Sequence, residues 1–133
     1  MNLKIKETLA HIVDWMNGAN LTVNTISLPW NSGTSGTGIY IARWGKIATL
    51  TIWNPMKLAV GNNMVATLPA GYRPRIEAVI PLIAPTASGT PTNALSLRAT
   101  IRTNGEIDIY NYRSSAISGS TNATGTATYV VGG

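Results

Sequence analysis

Glu106 and Asp108 are the one carboxylate pair in this 133-residue chain whose spacing suits acid–base work. Two residues apart on a strand, they share a face with Cα atoms about 6.8 Å apart. That overlaps the ~6.5–9.5 Å at which inverting glycosidases hold their carboxyl groups. Arg98 and Arg102 precede them on the same face, however, and cations are the wrong neighbours for a general acid. His11 is the only histidine and falls in an N-terminal helical stretch, so no histidine relay can reach the pair. Cysteine is absent, which removes thiol nucleophiles, disulfides and thiolate metal ligands. "GTSGTG" (33–38) lacks the lysine and the strand-to-helix setting of a phosphate loop. The expectation is a chain that is not an enzyme and uses no metal or cofactor.

Recognition chemistry is better represented. Four Trp and five Tyr make up the whole aromatic set, with no Phe. Aromatics with a polar tip suit interfaces and sugar-contacting surfaces. Trp30 precedes a Gly/Ser/Thr loop and is the tryptophan best placed for a ligand. Trp44 and Trp53 lie in strand-like stretches and are assigned to packing.

The remaining candidates depend on the register of "RATIRTNGEIDIYNY" (98–112). Asn104-Gly105 between alternating stretches signals a hairpin. A two-residue turn would mix charges with aliphatics on both faces. A three-residue loop, Thr103-Asn104-Gly105 with a bulge at Gly105, pairs Ile101 with Ile107 and Ala99 with Ile109 instead. The outer face then carries Arg98, Arg102, Asp108, Tyr110 and Tyr112, beside Thr100 and Glu106. Three readings of that face stand together: a solvated surface, a platform for a polar ligand, or a subunit interface.

The elements that position these residues follow from periodicity. Ile5, Leu9, Ile12 and Met16 recur at heptad spacing, and Gly18 and Asn20 then stop the helix. Such a seam suits either packing on the chain's own domain or assembly with identical chains. From Leu21 the period is two, with strands expected at 21–28, 38–44, 46–54, 63–68, 75–83, 94–101, 106–112 and 126–131. In "TLPAGYRP" (67–74), Pro69 and Ala70 are expected at the centre of a type I turn, with Arg73 extended before Pro74. The fold class is mainly β: an antiparallel β-sandwich, jelly-roll-like, preceded by one short α-helix. The chain divides into an amphipathic helix (1–20) and a sandwich head (21–133).

Hydrophobic residues are 44% of the chain and charged residues only 11%, so Ser, Thr and Asn must supply much of the polar surface. The formal charge of +5 favours anionic surfaces. Its basic residues are dispersed, unlike a nucleic-acid arm, and no apolar run has membrane-spanning length.

"KIKETLAHIVDWM", "IYIARWGKIATLTIW", "ATLPAGYRP" and "TNGEIDIY" together resemble the C-terminal head region of tailed-bacteriophage tail-fibre and receptor-binding proteins. The similarity is greatest to minor structural or baseplate proteins of phages infecting Gram-positive bacteria. The resemblance implies a homotrimeric head at the tail tip of a virion, synthesised in the bacterial cytoplasm. It also implies adsorption to a host cell-surface glycan, either wall polysaccharide or teichoic acid, beside other tail or baseplate proteins. Ile5, Leu9, Ile12 and Met16 would then join the chains. A trimerising cap without ligand is the alternative, and a polysaccharide-degrading enzyme the third.

Overall fold

The computed structural model describes residues 3–16, 23–83 and 97–132. The helix stop at Gly18 and Asn20, the starts of the expected strands 21–28 and 94–101, and the loop expected at 84–93 lie outside them. Helix α1 (Leu3–Met16) is followed by eight strands: β1 (Asn24–Ser27), β2 (Ser35–Trp44), β3 (Ile47–Lys57), β4 (Gly61–Thr67), β5 (Ala78–Leu82), β6 (Leu97–Ile101), β7 (Glu106–Asn111) and β8 (Thr124–Val130). All eight expected strands are present, with ends moved by a few residues.

Two four-stranded antiparallel sheets form, in the orders β1-β2-β3-β8 and β4-β7-β6-β5. Each is a three-stranded meander completed by one strand that crosses from elsewhere, which is Greek-key connectivity. Alternation decides what is buried. Ile39 and Ile41 of β2 and Ala48, Leu50 and Ile52 of β3 face Ile80, Ala99, Ile101, Ile107 and Ile109 of the second sheet. Burying an Ile or Leu side chain fully contributes about 1.5–3 kcal/mol, so these rows account for much of the stability.

Trp44 and Trp53 are not packed in this core. They stand 41% and 52% exposed on the outer face of the first sheet. Their parity explains it: Trp44 alternates with Ile41, and Trp53 with Ile52, onto the opposite side of the pleat. Two threonine ladders share that face, Thr49–Thr128 and Thr51–Thr126, with hydroxyls 3.0 and 3.1 Å apart.

The corner after β4 also departs from expectation. Pro69 has ψ of 154°, and the Tyr72 amide bonds the Pro69 carbonyl at 2.9 Å. The turn is therefore centred one residue later than expected, on Ala70-Gly71. Pro69 adopts the extended backbone that leads into it. Arg73 is extended (φ −77°, ψ 139°), as the following Pro74 requires.

The Tyr129 hydroxyl closes this corner by donating to the Tyr72 carbonyl at 2.7 Å. Burial pushes the Tyr129 phenol up to about 12. Because the neutral form is favoured in the folded chain, this stabilisation is complete below the unfolded value of about 10 and is lost as pH rises toward 12. Stability should fall by about 1–2 kcal/mol across that window, once solvent screening of the phenol is allowed for. Denaturant titrations of the intact chain and Tyr129→Phe check this, since the variant should lose less over the same interval. Equal losses would refute the assignment.

Candidate functional site

The hairpin β6–β7 has the three-residue loop expected from its pattern. Ile101 pairs with Ile107, Ala99 with Ile109 and Arg98 with Tyr110. The Arg102 amide bonds the Glu106 carbonyl, the Gly105 amide returns to the Arg102 carbonyl, and Gly105 takes φ +94°. Asn104 contributes through its side chain, whose Oδ1 accepts the Glu106 amide at 3.0 Å. A Cβ on Gly105 would lie 2.7 Å from both the Leu68 carbonyl oxygen and Arg73 Nε. Leu68 in turn donates its amide to the Gly105 carbonyl at 2.8 Å. The corner and the hairpin loop, thirty-odd residues apart in sequence, are thus one bonded unit.

The outward face brings Arg98, Arg102, Asp108, Tyr110 and Tyr112 onto one surface, but not as five open side chains. Asp108 is only 4% exposed. It sits between Met64 of β4 and Thr100 of β6 in the register, and Arg102 reaches diagonally to it, Nε to Oδ2 at 2.7 Å. Glu106, directly opposite Arg102, does not receive that ion pair. The hydrogen bond and charge of Asp108 push the Arg102 guanidinium further above its ordinary range. Glu77 adds a longer contact to Arg102 at 3.5 Å. One of the two candidate carboxylates is therefore clamped and shielded from a substrate.

The open part of the face is aromatic. Tyr110 and Tyr112 have ring centroids 4.4 Å apart, tilted by 46°. The Arg98 guanidinium carbon lies 5.6 Å from the Tyr112 ring centre, a cation–π distance. Tyr112 is 52% exposed. The three groups offer a flat apolar ring, two phenols and a cation without a carboxylate partner among the described residues. Such a set can stack on the carbon face of a sugar and hydrogen-bond its hydroxyls.

Trp30 belongs elsewhere. Its ring occupies the space a side chain at Gly36 would fill, at the start of β2, and packs against the core. Its Nε1 is buried without a hydrogen-bond partner among the described residues. Its neighbour Asn31 ties this segment to β4, amide to the Val65 carbonyl at 2.7 Å and Nδ2 to the Met64 carbonyl at 3.0 Å. The helix residues Ile5, Leu9 and Ile12 are exposed, and the Met16 side chain lies outside the described ones. Among the described residues there is no cluster of potential metal ligands and no helix long and apolar enough to cross a membrane.

No protein-family model matches the chain, and no curated protein does. Solved structures do. The head domain of lactococcal phage bIL170, a receptor-binding domain, superposes with a TM-score of 0.55 at 12% identity, covering 83% of this chain and 99% of that one. The receptor-binding protein gp15 of Listeria phage PSA superposes with a TM-score of 0.56 at 14% identity, covering 98% of this chain and 77% of that one. The chain shares the fold of these phage receptor-binding structures.

Proposed function

We propose that this chain is a receptor-binding head of a phage tail that adheres, without catalysis, to a carbohydrate of the host cell surface. The observation that carries this reading is the shared fold: one of the two neighbours is matched over nearly its full length and is a receptor-binding head. The cluster of exposed Tyr112 and Arg98 with half-buried Tyr110 supports carbohydrate as the ligand, because its chemistry fits a polar ring better than an apolar surface.

The head acts as a homotrimer in the virion, attached to other tail proteins. The exposed Ile5 and Leu9, with Ile12 a further heptad step along, support assembly through α1. Three weak sites engaging together would supply the avidity that one shallow face lacks. A monomeric mass for the intact chain in solution would refute this part.

An array of bacterial surface glycans probed with the intact chain tests the reading. Retention on at least one glycan is expected, reduced about tenfold by Tyr112→Ala and by Arg98→Gln, with unchanged thermal midpoints. An empty array combined with a trimeric mass would favour the second reading, a trimerising cap of a fibre. Retention that neither variant lowers would overturn the assignment to this face.

A further inference from the structure

All of the formal charge of +5 resides in the sandwich, because Lys4 and Lys6 of the helical segment are matched by Glu7 and Asp14. Of the sandwich cations, Arg102 alone is ion-paired among the described residues. Three others, Arg43, Lys46 and Arg75, converge on a cleft of about 160 Å³ whose remaining lining is Val130 and Val131. Among the described residues, no acidic side chain lines it. Like charges gathered in this way repel one another, and an entering anion relieves that repulsion.

Backbone bonds build this cleft. Lys46 is at the tip of the β2–β3 hairpin, beside Gly45, whose positive φ of 57° the tight turn needs. Val131 donates its amide to the Lys46 carbonyl at 2.8 Å, Arg75 to the Val130 carbonyl at 2.8 Å, and Gly132 to the Arg73 carbonyl at 2.9 Å. Three distant segments are thereby held side by side. Arg43 extends the inner row of β2 past the end of the core. Its guanidinium donates to the carbonyls of Gly71 and Gly45, so it is held in place by neutral acceptors.

A second space borders the cleft, a groove of about 670 Å³ between residues 75–78 and 128–130. Ile76, Ala78, Tyr129 and Val130 give it an apolar lining, and Arg75 and Val130 border both spaces. Its one carboxylate, Glu77, is turned toward Arg102.

We infer that Arg43, Lys46 and Arg75 form a binding site for the phosphoryl group of a phosphate-bearing polyol or sugar, whose carbon skeleton lies in the adjoining groove. The charge selects an anion, and the neighbouring apolar lining selects one attached to a carbon body rather than a free ion. The inference rests on the recognition reading for the polymer to which such a group belongs; the cleft itself is tested by a small molecule.

Glycerol phosphate titrated into the isotope-labelled intact chain at low salt should shift the backbone resonances of Lys46, Arg75, Val131 and Gly132 saturably. Glycerol should shift none of them, and inorganic phosphate should bind the same place about threefold or more weakly. Arg75→Gln and Lys46→Gln, both at exposed positions, should each weaken glycerol phosphate about five- to tenfold. Lys57→Gln and Arg113→Gln remove the same charge elsewhere and should change it less than about twofold. No saturable shift, or equal losses in all four variants, would overturn the site. Inorganic phosphate binding as tightly as the ester would overturn the role of the groove. Glycerol phosphate binding with an empty glycan array would refute the recognition reading and leave the cleft standing; the reverse result would refute the cleft alone.

Discussion

Gly105→Ala lowers the stability of the chain by about 3 kcal/mol and its thermal midpoint by roughly 10 °C. Two costs combine. A positive φ of 94° is strained for any residue with a Cβ. The new methyl would also have to displace the Leu68 carbonyl and the Arg73 side chain, each 2.7 Å away. Backbone on one side and an arginine held by that same carbonyl at 3.1 Å on the other give little room to yield. The hairpin loop and the corner should loosen together, so amide exchange should speed up at Leu68 as well as at Gly105. A midpoint within two degrees of the parent would refute this account.

Asn54→Leu has the second large effect, about 2–4 kcal/mol. Asn54 sits just past the last residue of β3 that pairs with β8, with φ 53°, a conformation asparagine tolerates and leucine does not. Its Oδ1 accepts the amides of Thr121 and Asn122 at 3.0 and 2.8 Å, and its Nδ2 donates to the Thr37 hydroxyl at 2.9 Å. One side chain thus anchors the segment that turns into β8. Asn54→Gly separates the two contributions, because it relieves the backbone while still losing the bonds. Chemical denaturation should place it between the parent and Asn54→Leu. If both variants match the parent, the anchor carries no weight.

How much of this was legible in the sequence follows physical lines. The hairpin register was readable because only one loop length puts Ile101 and Ile107 on the same side, and burial of one face punishes every other choice. The eight strands were readable for the same reason. The positions of Trp44 and Trp53 were legible too, in the parity of Ile39, Ile41, Leu50 and Ile52, but large aromatics in strands suggest burial before parity is counted. The Arg102–Asp108 pair was not readable, because it runs diagonally and depends on how a long side chain crosses its neighbours. The cleft of Arg43, Lys46 and Arg75 was hidden more deeply. Arg43 and Lys46 share one hairpin, but Arg75 is some thirty residues away and is brought beside them by bonds made by Val130, Val131 and Gly132, which carry no chemical signature of their own.

The crossing of β8 into the first sheet sets an order of events during synthesis. Thr49 and Thr128, whose hydroxyls meet in the finished sheet, are 79 residues apart. Until the later residue leaves the ribosome, β3 has an unpaired edge that offers its backbone groups to any other nascent strand. Crowded copies of the same chain, as several emerge from one message, would be the nearest such strands. The outer side of that edge carries Thr49 and Thr51 rather than a run of aliphatics, which makes it a poor template for stacking while it waits.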